Sequence, residues 1–146
     1  MAWDESLATG IPIIDLQHKE LFRQVEMLLD HTQRNRVEEM LTFLGDYVVK
    51  HFGVEELMQK SSNFPHAAEH KLMHDNFITA FVKLNKEYHE GEDQLLSLMK
   101  ITKIALNWLQ EHIGFHDREF GEFFQSSSCS DSLGRKKESG RNQVPK

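Results

Sequence analysis

Four side chains that could bind a metal occur in two pairs with the spacing of one helical turn. His51 and Glu55 are four residues apart, and so are His70 and His74. Residues at positions i and i+4 of an α-helix share one face, so each pair would offer two ligand groups to the same point. Imidazole and carboxylate groups suit several metals, including iron, zinc and manganese. The two pairs therefore indicate a metal site.

Two further histidines lie on apolar helical stripes, His18 with Leu21 and Phe22, and His112 with Leu109. A lone histidine in such a position is more often a hydrogen-bonded core residue than a ligand. Burial of so many imidazoles at one depth would be costly, however, because a buried polar group without a partner raises the free energy of the folded state. A bound metal is the more economical explanation of the whole set.

Four helical segments would carry these side chains, because apolar residues recur in each at intervals of three and four. We place the segments at about residues 15–31, 35–61, 65–91 and 92–124. Asp15 is the expected N-cap of the first, and Asn35 with Glu38 forms a capping-box pair at the start of the second. Short connections favour antiparallel neighbours, so the expected fold class is all-α, an up-down-up-down four-helix bundle.

An antiparallel bundle would bring the candidate ligands to one end. His18 lies in the first turn of helix one and His51 late in helix two, whereas His70 and His74 are early in helix three and His112 is late in helix four. Because alternate helices run in opposite directions, all five side chains come to the same end. Convergence from four helices is the most specific indication of a metal site in this sequence.

The segments that flank the helices differ in composition. Residues 1–14 are expected to form an extended arm, whose apolar side chains would cover the bundle: Trp3, Ile11, Ile13 and Ile14. From residue 126 the sequence turns polar, with five basic residues against two acidic ones, which favours disorder. We therefore divide the chain into a bundle domain over 1–125 and a disordered polar, basic tail over 126–146.

The composition excludes several classes of function. The formal net charge of −6 argues against a nucleic-acid partner. No apolar run approaches the roughly 20 residues of a membrane span, and the first residues lack the apolar core of an export signal. We therefore expect a cytoplasmic protein. Cys129 is the only cysteine, which excludes an internal disulfide and a thiolate metal cluster.

The segment EHIGFHDREF, residues 111–120, raises a question of helical phase. At about 100° per residue, His116 lies about 40° from His112, whereas Asp117 lies about 140° away. A regular helix would therefore turn His116 and Glu119 inward. One extra residue in the turn, as in a π-bulge, would instead turn Asp117 and Phe120 inward and leave Glu119 in solvent.

The bulged alternative has the better hydrophobic pattern. Gly114 is a poor residue for a helix interior and would let the turn distort. Bulges of this kind also occur often at functional sites. The sequence thus favours Asp117 over His116 as the metal-binding side chain.

The chain resembles the hemerythrin family, and specifically the single-domain bacterial hemerythrins. The segments that carry the resemblance are IIDLQHKELF, HFGVEELM, FPHAAEHKLMH and WLQEHIGFHD. The resemblance extends over roughly residues 3 to 124, and every ligand position of the family pattern is filled. It implies an oxo- or hydroxo-bridged, non-heme di-iron centre. The imidazoles of one iron would be His70, His74 and His112, those of the other would be His18 and His51, and the bridging carboxylates would be Glu55 and Asp117.

The function implied by this resemblance is reversible O2 binding. One iron would have six ligands and the other only five, so a diatomic ligand could take the open position. Oxygen transport, storage or delivery to an oxygen-consuming enzyme would follow, and not catalysis. The chain also lacks the Glu-x-x-His pairs of carboxylate-rich di-iron enzymes. The alternatives are a di-iron enzyme that detoxifies nitric oxide or peroxide, and a sensor of oxygen or iron.

Several neighbouring side chains have expected supporting roles. Leu109 and Ile113 are candidates for the lining of a dry oxygen pocket, although they could equally be ordinary core residues. Metal-bound imidazoles need an acceptor for their second N–H group, and Asp15, Gln17 and Glu56 are the candidates. The sequence does not choose among these three. We expect the protein to be a monomer.

Overall fold

The computed structural model describes residues 3–91 and 93–131, and in this part of the chain it contains helices and no strand. The α-helices are α1 (Pro12–Met27), α2 (Val37–Ser61), α3 (Ala67–Glu90), α4 (Gln94–Glu111) and α5 (Arg118–Asp131). A π-helical turn, His112–Asp117, joins α4 to α5. Helices α1 and α3 each pack against α2 and α4, which closes a four-helix bundle. The predicted fold class is confirmed.

Most buried apolar side chains form one core between the helices. The largest contributions are Leu21, Phe22, Leu41, Leu44, Leu98, Ile101 and Ile113. A second, smaller cluster joins the arm, α1, the α2–α3 connection and α5 through Ile11, Ile14, Phe64 and Phe120. Full burial of each such side chain stabilises the fold by about 1.5–3 kcal/mol. Both clusters fix the rotation of the helices about their axes, and this rotation decides which polar side chains face inward.

Helix α1 begins three residues earlier than expected, so the prediction of Asp15 as its N-cap is wrong. Pro12 occupies the first helical position, where its fixed φ angle and missing N–H group cost nothing. Asp15 lies in the first turn and reaches back, accepting hydrogen bonds of 2.8 Å each from the Thr9 backbone N–H and hydroxyl groups. The helix also ends at Met27 and not at His31, which leaves Leu29 48% exposed.

The predicted start of α2 is also wrong, because residues 31–36 form a 3-10 helix. Asp30 caps that short helix by accepting a 3.0 Å hydrogen bond from the Thr32 backbone N–H. Asn35 therefore lies inside the 3-10 helix, and α2 begins at Val37 without a side-chain cap. The starts of α3 and α4 each differ from the prediction by two residues, with Asp93 capping α4.

The arm is shorter and less extended than predicted, because Glu5–Leu7 form a 3-10 helix and the residues from Pro12 belong to α1. Most of the apolar side chains predicted to cover the bundle do cover it. Ile11 and Ile14 are buried, and the Trp3 ring lies 6.4 Å from Phe22 in an edge-on contact. Ile13 is the exception, because it is 47% exposed. Its prediction as a covering residue is wrong because α1 begins at Pro12, which places Ile13 on the outer face of the helix.

The arm is attached to α5 by a close backbone approach. Gly10 has a φ of +85°, in the left-handed region that glycine adopts readily. The Gln125 amide donates a 3.5 Å hydrogen bond to the Thr9 carbonyl oxygen. A Cβ atom at Gly121 would overlap that same carbonyl group. The contact therefore depends on glycine at position 121.

The helical backbone continues past the predicted domain boundary. Helix α5 ends at Asp131, so residues 126 to 131, which we assigned to a disordered tail, are helical. Residues 132 to 146 lie outside the described residues, and their disorder stays a prediction. None of the described helices is both long and apolar enough to cross a membrane.

We predict that Gly121→Ala destabilises the fold, by about 1–3 kcal/mol, since the added methyl group must push the arm away from α5. Gly53→Ala is the matched control, because its Cβ would meet none of the described atoms within 4 Å. This control should stabilise α2 by about 0.5–1 kcal/mol. Urea unfolding of both metal-free variants measures the two free energies. Equal stability of the two variants would contradict the close approach.

Candidate metal centre

The structure brings all seven predicted ligands together at one end of the bundle. They form two groups that share both carboxylates. The larger group is Glu55, His70, His74, His112 and Asp117, and the smaller is His18, His51, Glu55 and Asp117. Within each group the candidate ligand atoms lie within 4.8 Å of one another. Every one of these side chains is at most 3% exposed.

Helical periodicity explains how most of these side chains meet. Helix α1 supplies His18, and α2 supplies two side chains one turn apart, His51 and Glu55. Helix α3 supplies His70 and His74, also one turn apart. Because the neighbouring helices are antiparallel, their contributions lie at the same depth.

The π-helical turn supplies the last carboxylate, as the hydrophobic pattern predicts. It spans His112–Asp117 and buries both of its end residues. Phe120 is also buried, while Glu119 is exposed. The extra residue therefore shifts the helical phase, and Asp117 takes the inward position that a regular helix would give to His116. The predicted bulge is confirmed.

Glu55 lies between the two groups of imidazoles. Its Oε2 atom is 3.1 Å from the Nε2 atoms of both His18 and His51. Its Oε1 atom is 3.4 Å from His70 Nε2 and 3.2 Å from His74 Nε2. One oxygen of the carboxylate thus faces each group.

Asp117 repeats this arrangement from the π-helical turn. Its Oδ2 atom is 3.0 Å from His18 Nε2. Its Oδ1 atom is 2.8 Å from His70 Nε2 and 3.1 Å from His112 Nε2. Both carboxylates are therefore placed to bridge two ions.

The three imidazoles of the larger group point their Nε2 atoms at a common position. His112 Nε2 is 2.9 Å from His70 Nε2 and 3.2 Å from His74 Nε2. Glu55 Oε1 and Asp117 Oδ1 face the same position, and both side chains are buried. Converging nitrogen lone pairs with two such oxygens form a donor set for a transition-metal cation. The residues present therefore fit a metal.

The electrostatics of the site also favour cations. Burial raises the pKa of Glu55, but the positive charge of His51 and hydrogen bonds from neighbouring imidazoles outweigh burial and hold that pKa well below its usual range. Burial lowers the pKa of His18 and His70, yet hydrogen bonds to Asp117 and Glu55 raise each pKa to about 9. Without a metal, the raised pKa values favour the protonated forms of His18 and His70 beside the carboxylates. Metal binding would release these protons.

Two of the three candidate acceptors accept a hydrogen bond from the Nδ1–H group of a candidate ligand. His51 Nδ1–H donates a 2.7 Å hydrogen bond to Gln17 Oε1, and His74 Nδ1–H donates a 2.8 Å hydrogen bond to Glu56 Oε2. A proton fixed on Nδ1 leaves the Nε2 lone pair free for a metal. The carboxylate of Asp15, the third candidate, is instead bound to Thr9.

The sequence reasoning missed two aromatic side chains at the site. The Phe52 ring stacks on His74 at 3.8 Å with an interplanar angle of 1°. The Trp108 ring stacks on His112 at 4.2 Å and 11°. Trp108 could have been found, because it precedes His112 by one helical turn. Phe52 gives no such signal, since it contacts a histidine from another helix.

Gln59 was also missed. Its side chain is fully buried one turn after Glu55, and neither atom of its amide has a hydrogen-bond partner among the described residues. The i+4 spacing from Glu55 was the available signal.

The other sequence candidates lie outside the two ligand groups. His116 is partly buried, with its ring centroid 5.6 Å from that of His112. His66 is exposed. Leu109 and Ile113 are both buried in the main core, and their role in lining an oxygen pocket stays a prediction.

Known proteins resemble this chain over most of its length. Residues 9–124 match the family model described as Hemerythrin HHE cation binding domain. A bacteriohemerythrin of Methylococcus capsulatus is 31% identical over 125 residues, which cover 83% of this chain and 94% of that protein. A hemerythrin alpha subunit of Lingula anatina is 28% identical over 119 residues, covering 82% and 91% of the two chains.

Solved structures give the same result. A crystal structure of wild-type hemerythrin superposes with a TM-score of 0.74 and 30% identity, covering 85% of this chain and 97% of that one. The match of the family model extends from the arm through Phe124, so it includes every residue of both ligand groups. The chain belongs to the hemerythrin family, whose domain binds a di-iron centre.

Proposed function

We propose that this protein binds O2 reversibly at a di-iron centre, for oxygen transport, storage or delivery. The observation that carries this proposal is the position of the two carboxylates, each of which presents one oxygen to each group of imidazoles. Glu55 spans the groups with contacts of 3.1 to 3.4 Å, and Asp117 does so with contacts of 2.8 to 3.1 Å. Two cations bridged by shared carboxylates would satisfy every one of these oxygens.

The proposed ligands divide unequally between the ions. One iron would be held by His70, His74 and His112, the other by His18 and His51, and both by the two carboxylates. The second iron would thus have one protein ligand fewer, which would leave room for an external diatomic molecule. When bound, the iron pair supplies the two electrons that reversible oxygen binding requires.

The chain's own residues would orient the ligands and exclude water. Gln17 and Glu56 hold two imidazoles through hydrogen bonds of 2.7 and 2.8 Å. Leu109 and Ile113 are 3% and 1% exposed, so they are suited to line an apolar oxygen pocket. An apolar shell of this kind controls solvent access to a metal centre. We propose that the protein is not an enzyme, and that it acts as a cytoplasmic monomer that supplies oxygen-consuming enzymes.

The decisive experiment is an iron count and a visible spectrum of the purified protein. We expect two irons per chain and a charge-transfer band that appears with oxygen and disappears when oxygen is removed. An oxygen adduct that decays within seconds, together with steady turnover of nitric oxide or peroxide, would replace the carrier by a detoxifying enzyme. Protein purified without chelator that contains no iron would contradict both functions.

The choice of bridging carboxylate has its own test. Asp117→Ala should reduce the iron content below two per chain, because it removes an oxygen from each group. His116→Ala should retain two irons at equilibrium, since its ring lies outside both ligand groups. Iron analysis of both variants decides the matter. The reverse result would show that the inward carboxylate has been assigned to the wrong helical phase.

The hydrogen bond behind His51 should contribute to iron affinity. Gln17→Leu removes the acceptor of the Nδ1 proton and should weaken iron binding by about 10–100-fold. Gln17→Glu is the control, because it keeps an oxygen acceptor at the same position. Competition with a chromophoric iron chelator measures both affinities. If Gln17→Leu and Gln17→Glu change the iron affinity equally, the hydrogen bond to His51 does not contribute to iron binding.

A further inference from the structure

A cavity that opens to solvent lies beside the larger group of ligands. It has a volume of about 200 Å³. Its walls come from the start of α3 and from the segment around the π-helical turn, and its polar or aromatic lining includes His66, Glu69, His70, Phe115, His116 and Glu119. One of these residues, His70, belongs to the candidate metal centre. The cavity therefore reaches from solvent to one of the candidate ligands.

The outer part of the cavity presents an imidazole and two carboxylates. His66 Nδ1 is hydrogen bonded to Glu69 Oε1 at 3.1 Å, and the two side chains are 52% and 70% exposed. Glu119 faces them from α5. Its negative charge contributes to raising the pKa of His66, after the hydrogen bond and the charge of Glu69. All three side chains thus line the outer part of the cavity.

The inner part of the cavity consists of imidazoles. The His116 ring centroid is 6.5 Å from that of His70 and 5.6 Å from that of His112. Metal-capable side chains therefore continue from the exposed rim to two of the buried ligands. None of the described residues that line the cavity is a lysine or an arginine, and two carboxylates, Glu69 and Glu119, are among them.

A hydrated cation needs such a route because the centre itself is closed. Every ligand is at most 3% exposed, and apolar core residues surround most of the site. An ion that crossed this core directly would lose its water with nothing to replace it, which is very costly in free energy. Carboxylates and imidazoles along a cavity can replace that water stepwise.

We propose that this cavity is a transit site through which ferrous iron loads the centre. His66, Glu69 and Glu119 capture the hydrated ion, and His70 in the cavity wall receives it. Imidazole and carboxylate are suitable ligands for Fe²⁺, and a cleft lined by one sign of charge raises the local concentration of its counter-ion. The proposal rests on the proposed function, since it requires that the buried groups bind iron.

The test is the rate of iron loading. Metal-free protein is mixed anaerobically with two equivalents of Fe²⁺, and a ferrous chelator reports the iron still unbound at successive times. Two variants alter the rim: Glu69→Gln/Glu119→Gln removes its charge, and His66→Ala removes its imidazole. The charge-matched control is Glu87→Gln/Glu90→Gln, at the exposed far end of α3.

We expect both rim variants to load more slowly, by roughly tenfold for the double variant at low ionic strength. The control should load at the wild-type rate, and added salt should slow the wild type more than the double variant. Iron per chain at the end of loading separates slow entry from loss of the centre. Equal rates in fully loaded wild-type and rim-variant proteins would overturn the transit site alone. A wild-type protein that binds fewer than two irons would instead overturn the proposed function, and the transit site with it.

Discussion

The burial of two carboxylates among five imidazoles is the constraint on which the rest of this structure depends. A buried ion costs several kcal/mol unless close opposite charges and hydrogen bonds compensate it. Glu55 meets this requirement only because four histidines from three helices come within 3.4 Å of its oxygens. The bundle cannot rotate or slide one helix without leaving a buried charge unpaired. In the proposed function, iron would be held by these same side chains, and its positive charge would compensate the two carboxylates.

The π-helical turn is a consequence of this constraint. One additional residue shifts the helical phase by about 100°, and this shift turns Asp117 inward. The same shift buries Phe120, whose ring packs 5.1 Å from Phe64 in the smaller cluster. It also places His116 and Glu119 in the lining of the cavity. The π-helical turn thus supplies the last carboxylate of the ligand set and buries Phe120 in the smaller cluster. It also places two residues in the lining of the proposed route.

The sequence predicts those features of the fold and of the candidate site that follow from helical periodicity. The helix number, the antiparallel order and the common depth of the ligands follow from apolar spacing, and the bulge follows from the burial pattern around Phe120. The end of α1 and the start of α2 do not follow from apolar spacing. The 3-10 helix between them is capped by Asp30, which lies outside any apolar repeat. The choice of Gln17 over Asp15 depends on distances between helices. Such distances are set by packing and leave no trace in the spacing of residues.

The imidazoles of the larger and the smaller ligand group differ in the ring stacking and hydrogen bonds that fix their positions. In the larger group, His74 is stacked on Phe52 and bonded to Glu56, and His112 is stacked on Trp108. In the smaller group, His51 is bonded to Gln17, but His18 meets His51 only edge-on at 4.7 Å. The His18 Nδ1 atom is buried without a hydrogen-bond partner among the described residues. The better-supported half is the one with the complete set of ligands. In the proposed function, an external ligand would therefore exchange at the half with fewer protein ligands and weaker support, while the other half would keep the iron pair in place.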